Sequence, residues 1–256
     1  MNSTSTKLSI KKHKKRKYYL ITLIVLFSLI ILASTLWWVK NSIKVKDIYT
    51  YGNQQVKSDD IRAIMKVKKG DKLFSFNLSE LYNRLKSYPW IKETEIRREL
   101  TGILHIRIKE ATPIAILNLN EKNYLLDNDG IILEDLSDAK AFFLPVLKDI
   151  DPTKHNASYK EAIDFVKFMN EKKLFLNTGS LQIFGHRPED LSIKIDNLII
   201  KIGAGDFERK LTRLEFVRQE MIRRNIPADT IDLRFSDKII VKPNESLDNV
   251  KKKTTR

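Results

Sequence analysis

No cysteine occurs among the 256 residues, which excludes a disulfide scaffold, thiolate metal sites, iron–sulfur ligation and a cysteine nucleophile. It also leaves the redox compartment open. Histidine is scarce: His13, His105, His155 and His186 show no metal-ligand spacing. His105 falls on the outward face of a regular strand, where an ordinary surface histidine is expected. The G-x-S-x-G elbow and the H-E-x-x-H zinc motif are both missing. Asp127-Asn128-Asp129-Gly130 begins like a calcium loop but lacks the further acidic positions that would complete an oxygen cage, so it reads as a turn. Gly203-Ala204-Gly205 stands where a phosphate-binding turn would, yet Glu208 occupies the third glycine position and its charge would repel phosphate. No catalytic residue, metal or cofactor is nominated, and the weight shifts to binding.

Acidic residues are absent from residues 1–17, which carry seven cations: Lys7, Lys11, Lys12, Lys14, Lys15, Arg16 and Lys17. Nearly half of the formal net charge of +15 therefore sits in a tail. Charge of either sign is then missing from Tyr18 to Val39, a run of 22 residues. A helix of that length covers roughly 33 Å, the thickness of a bilayer's hydrocarbon core. Tyr18, Tyr19, Trp37 and Trp38 are placed as interfacial belts. The run is too long for a signal peptide's apolar region and ends in bulky Leu36-Trp37-Trp38, so a retained anchor is expected. Positive-inside bias puts the basic tail in the cytoplasm and residues 40–256 outside. The tail has no interleaved aromatics and abuts the membrane, so lipid contact explains it without nucleic acid.

With an apolar fraction of 42% the remainder has enough to build a core. Residues 40–112 read as strand, helix, helix, strand, strand. Ile43 to Tyr51 is β-rich and stops at Gly52-Asn53. Ser58 is expected to N-cap a short helix carrying Ile61, Ile64 and Met65 on one side, and Asn77 to cap a second in a capping box with Glu80. Pro89 ends that helix, and a hairpin turns at Thr101-Gly102 with Leu104, Ile106 and Ile108 on its packed face. Residues 113–242 mix strands with two helices. One runs from about Asn156 to Lys173 with Tyr159, Ile163, Val166 and Met169 inward. The other, capped by Asp206, has Phe207, Leu211, Leu214, Val217 and Met221 on one face. Two strands close the region, Thr230 to Phe235 and Lys238 to Lys242. From Pro243 a polar tail, 243–256, has no periodicity and is expected to be disordered.

The last strand is the candidate binding element. Lys238-Ile239-Ile240-Val241-Lys242 is short, β-branched and bracketed by lysines, the devices that keep an exposed edge from uncontrolled pairing. Such an edge can accept one chosen partner strand. The pattern alone equally permits an internal strand closed by a neighbour.

Residues 43–116 resemble a POTRA domain: Tyr51-Gly52-Asn53 follows the first strand, Pro89-Trp90-Ile91 precedes the hairpin, and Lys109 to Ala115 is similar to an E-x-x-P-x-A ending. Add the single anchor, the Asp-x-Asp-Gly hairpin, Leu144-Pro145-Val146, Phe207-x-x-Lys210-Leu211 and Ile231 to Phe235. The succession resembles the FtsQ/DivIB family of bacterial cell-division proteins over nearly the whole chain. The resemblance implies an α+β fold: a transmembrane helix (18–39), a POTRA domain (40–112) and a mixed α/β "β domain" (113–242) with an edge strand near its C-terminus. It implies a non-enzymatic divisome scaffold at the septum of the cytoplasmic membrane, without cofactor, binding FtsB/DivIC- and FtsL-like partners through that strand. The partner-binding residues it points to are Arg234, Phe235, Lys238, Ile239, Ile240, Val241 and Lys242. Two departures stand out: Leu100-Thr101-Gly102 replaces a frequent proline in the hairpin, and Lys242-Pro243 stands where aromatics are often found. A POTRA-bearing component of protein export or outer-membrane assembly is the alternative, and an anchored wall enzyme a third reading.

Overall fold

The computed structural model describes residues 4–136, 143–174 and 181–243. Two compact units divide the chain, Met1–Glu110 and Ala111–Arg256.

The first unit opens with a helix, α1 (Thr4–Ser42), of which Tyr18–Ser42 is long and apolar enough to cross a membrane. Three hydroxyls of the apolar run bond back to the helix: Thr22 to the Tyr19 carbonyl, Ser28 to that of Val25 and Thr35 to that of Leu32. The apolar run therefore carries few polar groups needing water, which suits hydrocarbon. The helix begins well before Tyr18, so the basic tail continues the span's backbone as helix from Thr4.

Next come β1 (Asp47–Tyr51), α2 (Ser58–Met65), α3 (Leu78–Lys86), β2 (Ile91–Arg98) and β3 (Ile103–Glu110), in the order the sequence predicts. The strands pair as β1-β3-β2. The two-helix connection leads into β2, and the expected β2–β3 hairpin then brings β3 back parallel to β1. Ile61, Met65, Leu81 and Leu85 of the helices pack on Ile48, Leu104, Ile106 and Ile108, all buried. Asn77 caps α3 as expected, its Oδ1 accepting from the Ser79 N–H at 2.9 Å. The capping box does not close, because Glu80 turns to Arg84. Ser58 does not cap α2 either. It is the first helical residue, and its hydroxyl lies 2.6 Å from that of Thr50. The N–H groups of Gln54, Gln55 and Val56 are met instead by the Glu110 carboxylate, at 2.8–3.0 Å. One acid at the end of β3 thus holds the turn leading into α2.

The second unit is built on a nine-stranded sheet in the order β12-β11-β10-β9-β8-β7-β4-β5-β6. Its elements are β4 (Pro113–Leu119), β5 (Lys122–Asp127), β6 (Ile132–Asp135), β7 (Val146–Lys148), α4 (Asn156–Glu171), β8 (Leu181–Phe184), β9 (Ser192–Ile195), β10 (Leu198–Lys201), α5 (Phe207–Arg224), β11 (Ala228–Asp232) and β12 (Ile240–Pro243). Three pairings, β4 with β7, β7 with β8 and β10 with β11, are parallel, and the rest antiparallel. α4 buries Tyr159, Ala162, Ile163, Phe165, Val166 and Met169 against the sheet's core. The amphipathic face expected of α5 packs more shallowly: Leu214 is buried, and Phe207, Leu211 and Met221 are half-buried against the same core.

Asp127 behaves as the turn reading requires. Its carboxylate accepts the N–H groups of Asp129 and Ile131 at 2.9 and 2.8 Å. The Tyr159 hydroxyl donates to the Gly130 carbonyl at 2.6 Å, and burial, with the nearby Asp127 charge, pushes its pKa up to about 12. Asp206 holds the N-cap position of α5 as expected, but not as a capping side chain. It sits at φ +53° without a capping bond, its carboxylate on Arg209 at 2.6 Å. The Gly205 N–H goes instead to Glu161, and buried Lys210 donates to the Ala204 carbonyl, both at 2.6 Å. A phosphate would find this glycine turn already closed by protein groups.

Candidate functional site: an open sheet edge

β12 ends the sheet. It pairs antiparallel with β11, Ile231 opposite Val241 and Asp232 opposite Ile240, and no described strand lies on its other side. In an antiparallel ladder the N–H and C=O of alternate residues point to opposite sides. Every second peptide group of β12 therefore faces outward without a strand partner among the described residues. The opposite end of the sheet, β6, is also an edge but a differently charged one, carrying Glu134 and Asp135.

The strand is shorter and later than the sequence pattern implies. Lys238 and Ile239 precede it, and Pro243 is its last residue, facing Ala228 across a bulge between Ala228 and Thr230. Proline ends the donors, not the strand. Ile239 and Val241 turn inward, Ile239 packing against the core, while Ile240 is 47% exposed and Lys242 is exposed. β11 stops at Asp232 rather than reaching Phe235, because Arg234 folds back on it. The Arg234 guanidinium grips the Asp232 carboxylate through Nε at 3.0 Å and Nη2 at 2.8 Å, with Asp190 3.5 Å from Nη1. Phe235 thus lies in the connection, 40% exposed, with the Lys238 ammonium 5.2 Å above its ring. Arg213 of α5 donates to its carbonyl at 2.8 Å. The structure brings Phe235 and Lys238 together beside the edge, puts Ile240 and Lys242 on its outer surface, and commits Arg234 to bracing it. Sequence reasoning missed Asp232, Asp190 and Arg213. An acid two residues before Arg234 was the one local signal for the brace.

That brace makes the edge acid-sensitive. Burial pushes the Asp232 carboxyl up, but the hydrogen bonds and charge of Arg234 outweigh it and hold it below its ordinary value. A depressed acid contributes stability above its unfolded pKa of about 3.9 and loses that contribution as pH falls through its folded value. The second unit is therefore expected to weaken below about pH 4. Asp232→Asn should cost about 1.5–3 kcal/mol at neutral pH, the value of a hydrogen bond to a charged group, and blunt the acid sensitivity. Urea unfolding at pH 7 and pH 3.5, followed by hydrogen exchange over 228–243, measures both.

A candidate membrane span, a three-stranded βααββ unit and a mixed sheet ending in an open strand define a POTRA-type chain whose prominent feature is an open sheet edge. Comparison with known proteins gives the class its family. Residues 43–111 match the model described as "POTRA domain, FtsQ-type", and residues 115–234 the model "Cell division protein FtsQ/DivIB, C-terminal". A cell division protein FtsQ of Geotalea daltonii is 27% identical over 221 residues, 83% of this chain and 78% of its own length. One from Rickettsia bellii is 28% identical over 205 residues, 77% and 72% of the two chains. The chain belongs to the FtsQ/DivIB family of cell-division proteins.

Proposed function

We propose that the chain is a non-enzymatic scaffold of the divisome, binding FtsB/DivIC- and FtsL-like membrane proteins at the septum by strand addition to β12. Its N-terminus lies in the cytoplasm and both folded units outside. The observation that carries this reading is the terminal place of β12 in its sheet. Backbone groups would supply affinity, and alternate side chains selectivity. The exposed Ile240 asks for an apolar residue on the incoming strand, and Lys238 and Lys242 for acidic ones.

A photocrosslinking residue at Ile240 in tagged full-length protein, irradiated in native membranes, tests the reading. Adducts with small single-pass division proteins are expected. Adducts with secretion or outer-membrane components would replace the divisome with an export role, and a clean gel lane would remove β12 as the docking edge.

A further inference from the structure

The end of the first unit that adjoins α1 carries a positive face that strand capture does not use. The chain leaves α1 at Ser42 and is laced at once into two loops. Leu73 N–H donates to the Ile43 carbonyl, Val45 N–H to Asp71, Gly70 N–H to Val45 and Lys46 N–H to Gly102, each at 2.8 Å. The Lys72 ammonium reaches Asn41 of α1 at 3.3 Å, and Asn41 is one turn beyond Trp37, whose carbonyl it caps at 2.9 Å. Segments 43–46, 68–73 and 99–102 therefore sit together against the interfacial end of the span. They and the last turn of α1 bring Lys40, Lys44, Lys46, Lys68, Lys69 and Lys72 together, all exposed.

Carboxylates are few there. Asp47 is taken by Lys69 at 3.0 Å, Asp71 accepts the Lys68 N–H at 2.8 Å, and Glu99 lies against His105 at 2.8 Å. Among the described residues the other five lysines meet no carboxylate. Beside them, at the β2–β3 turn, Leu100 is 72% exposed. The turn is pinned by Gly102, whose missing Cβ would lie 2.5 Å from the Lys44 carbonyl oxygen. A protruding leucine on a turn bonded to the Lys44–Lys46 segment, beside a lysine-rich end of the candidate span, has the chemistry of an interfacial lipid contact.

We propose that this face binds anionic phospholipid headgroups of the bilayer that α1 crosses. The lysines engage phosphates, Leu100 enters the headgroup–acyl boundary, and the POTRA domain is thereby held upright on the leaflet. The occupant is assigned by continuity with the span and by charge, and the inference needs α1 in a membrane but not strand capture at β12.

The chain has no native cysteine, so Leu100→Cys takes a unique environment-sensitive fluorophore in the full-length protein. Gln54→Cys, in the turn beyond the far end of β1, is the reference site. In nanodiscs containing phosphatidylglycerol, a headgroup-nitroxide lipid is expected to quench the label at 100 and not at 54. Quenching should fall away in phosphatidylcholine discs. It should also fall in the Lys44→Gln/Lys68→Gln/Lys72→Gln variant, where about fivefold per lysine lowers the docked-to-free ratio about a hundredfold. Circular dichroism checks that the variant stays folded. An unquenched label at 100 in anionic discs overturns the proposal, as does equal quenching in both lipids that the lysine variant leaves intact. A label shielded from aqueous iodide yet untouched by the lipid nitroxide would assign the face to a protein or wall polymer instead, and also overturn it.

Discussion

Of the two substitutions Ile240→Pro and Val241→Pro, one should abolish partner capture with the second unit still folded, and the other should loosen β12 itself. Neighbouring N–H groups along β12 point to opposite sides, and proline removes the donor wherever it stands. At the residue whose N–H faces outward, the pairing of β12 with β11 survives. The incoming strand there loses a hydrogen bond and meets a ring, which together should weaken capture about a hundredfold. At the residue whose N–H faces β11, the ladder loses an internal bond next to the bulge at Ala228/Thr230, about 1 kcal/mol net before any strain. Titration of the partner read against hydrogen exchange over 228–243 separates the two effects. If both variants bind like the parent chain while exchange shows β12 intact, strand addition is the wrong mechanism and side chains such as Phe235 and Lys238 must carry recognition alone.

Gly52→Ala should be among the most damaging single-methyl additions in the first unit, costing about 2–4 kcal/mol, whereas Gly70→Ala should cost about 1. Both glycines hold positive φ, +82° and +97°, so both substitutions carry the same left-handed penalty. They differ in what a Cβ meets. At Gly52 it would lie 2.2 Å from the Ile108 carbonyl oxygen, and at Gly70 nothing lies within 4 Å. Ile108 is held in β3 by its pairing with Thr94, so relief must come from moving backbone. That movement would disturb the Glu110 carboxylate and the three N–H groups it holds. Thermal unfolding of the full-length variants, with exchange measured over 43–110, gives the comparison; equal losses at the two glycines would show that the clash relaxes freely.

These residues show how far the sequence could be read. Tyr51-Gly52-Asn53 marked a turn and a family, but the reason only glycine fits is a carbonyl 56 residues away in the chain. Short-range rules placed Asn77 correctly, since a cap needs only its own next two residues. They failed at Ser58, where the partner comes from far along the chain because Glu110 serves the turn before α2, and at Asp206, where a local rival, Arg209 three residues on, takes the carboxylate. The last two strands were legible as β-branched runs, and their bounds were not. The Arg234 fork on Asp232 and the bulge opposite Pro243 depend on side chains and register across the sheet.

By itself the sequence determined a candidate span, from 22 uncharged residues, and the order of elements, from apolar period and turn chemistry. The succession of motifs pointed to the family. These are properties of neighbours along the chain. Whether Lys238 to Lys242 closes inside a sheet or ends it was left open, because an alternating run looks the same in both places. Only the tertiary structure decided it, by pairing β12 with β11 on one side and leaving its other side unoccupied among the described residues. Likewise, lysines spread from 40 to 72 became one positive face only when the loops after α1 were bonded together.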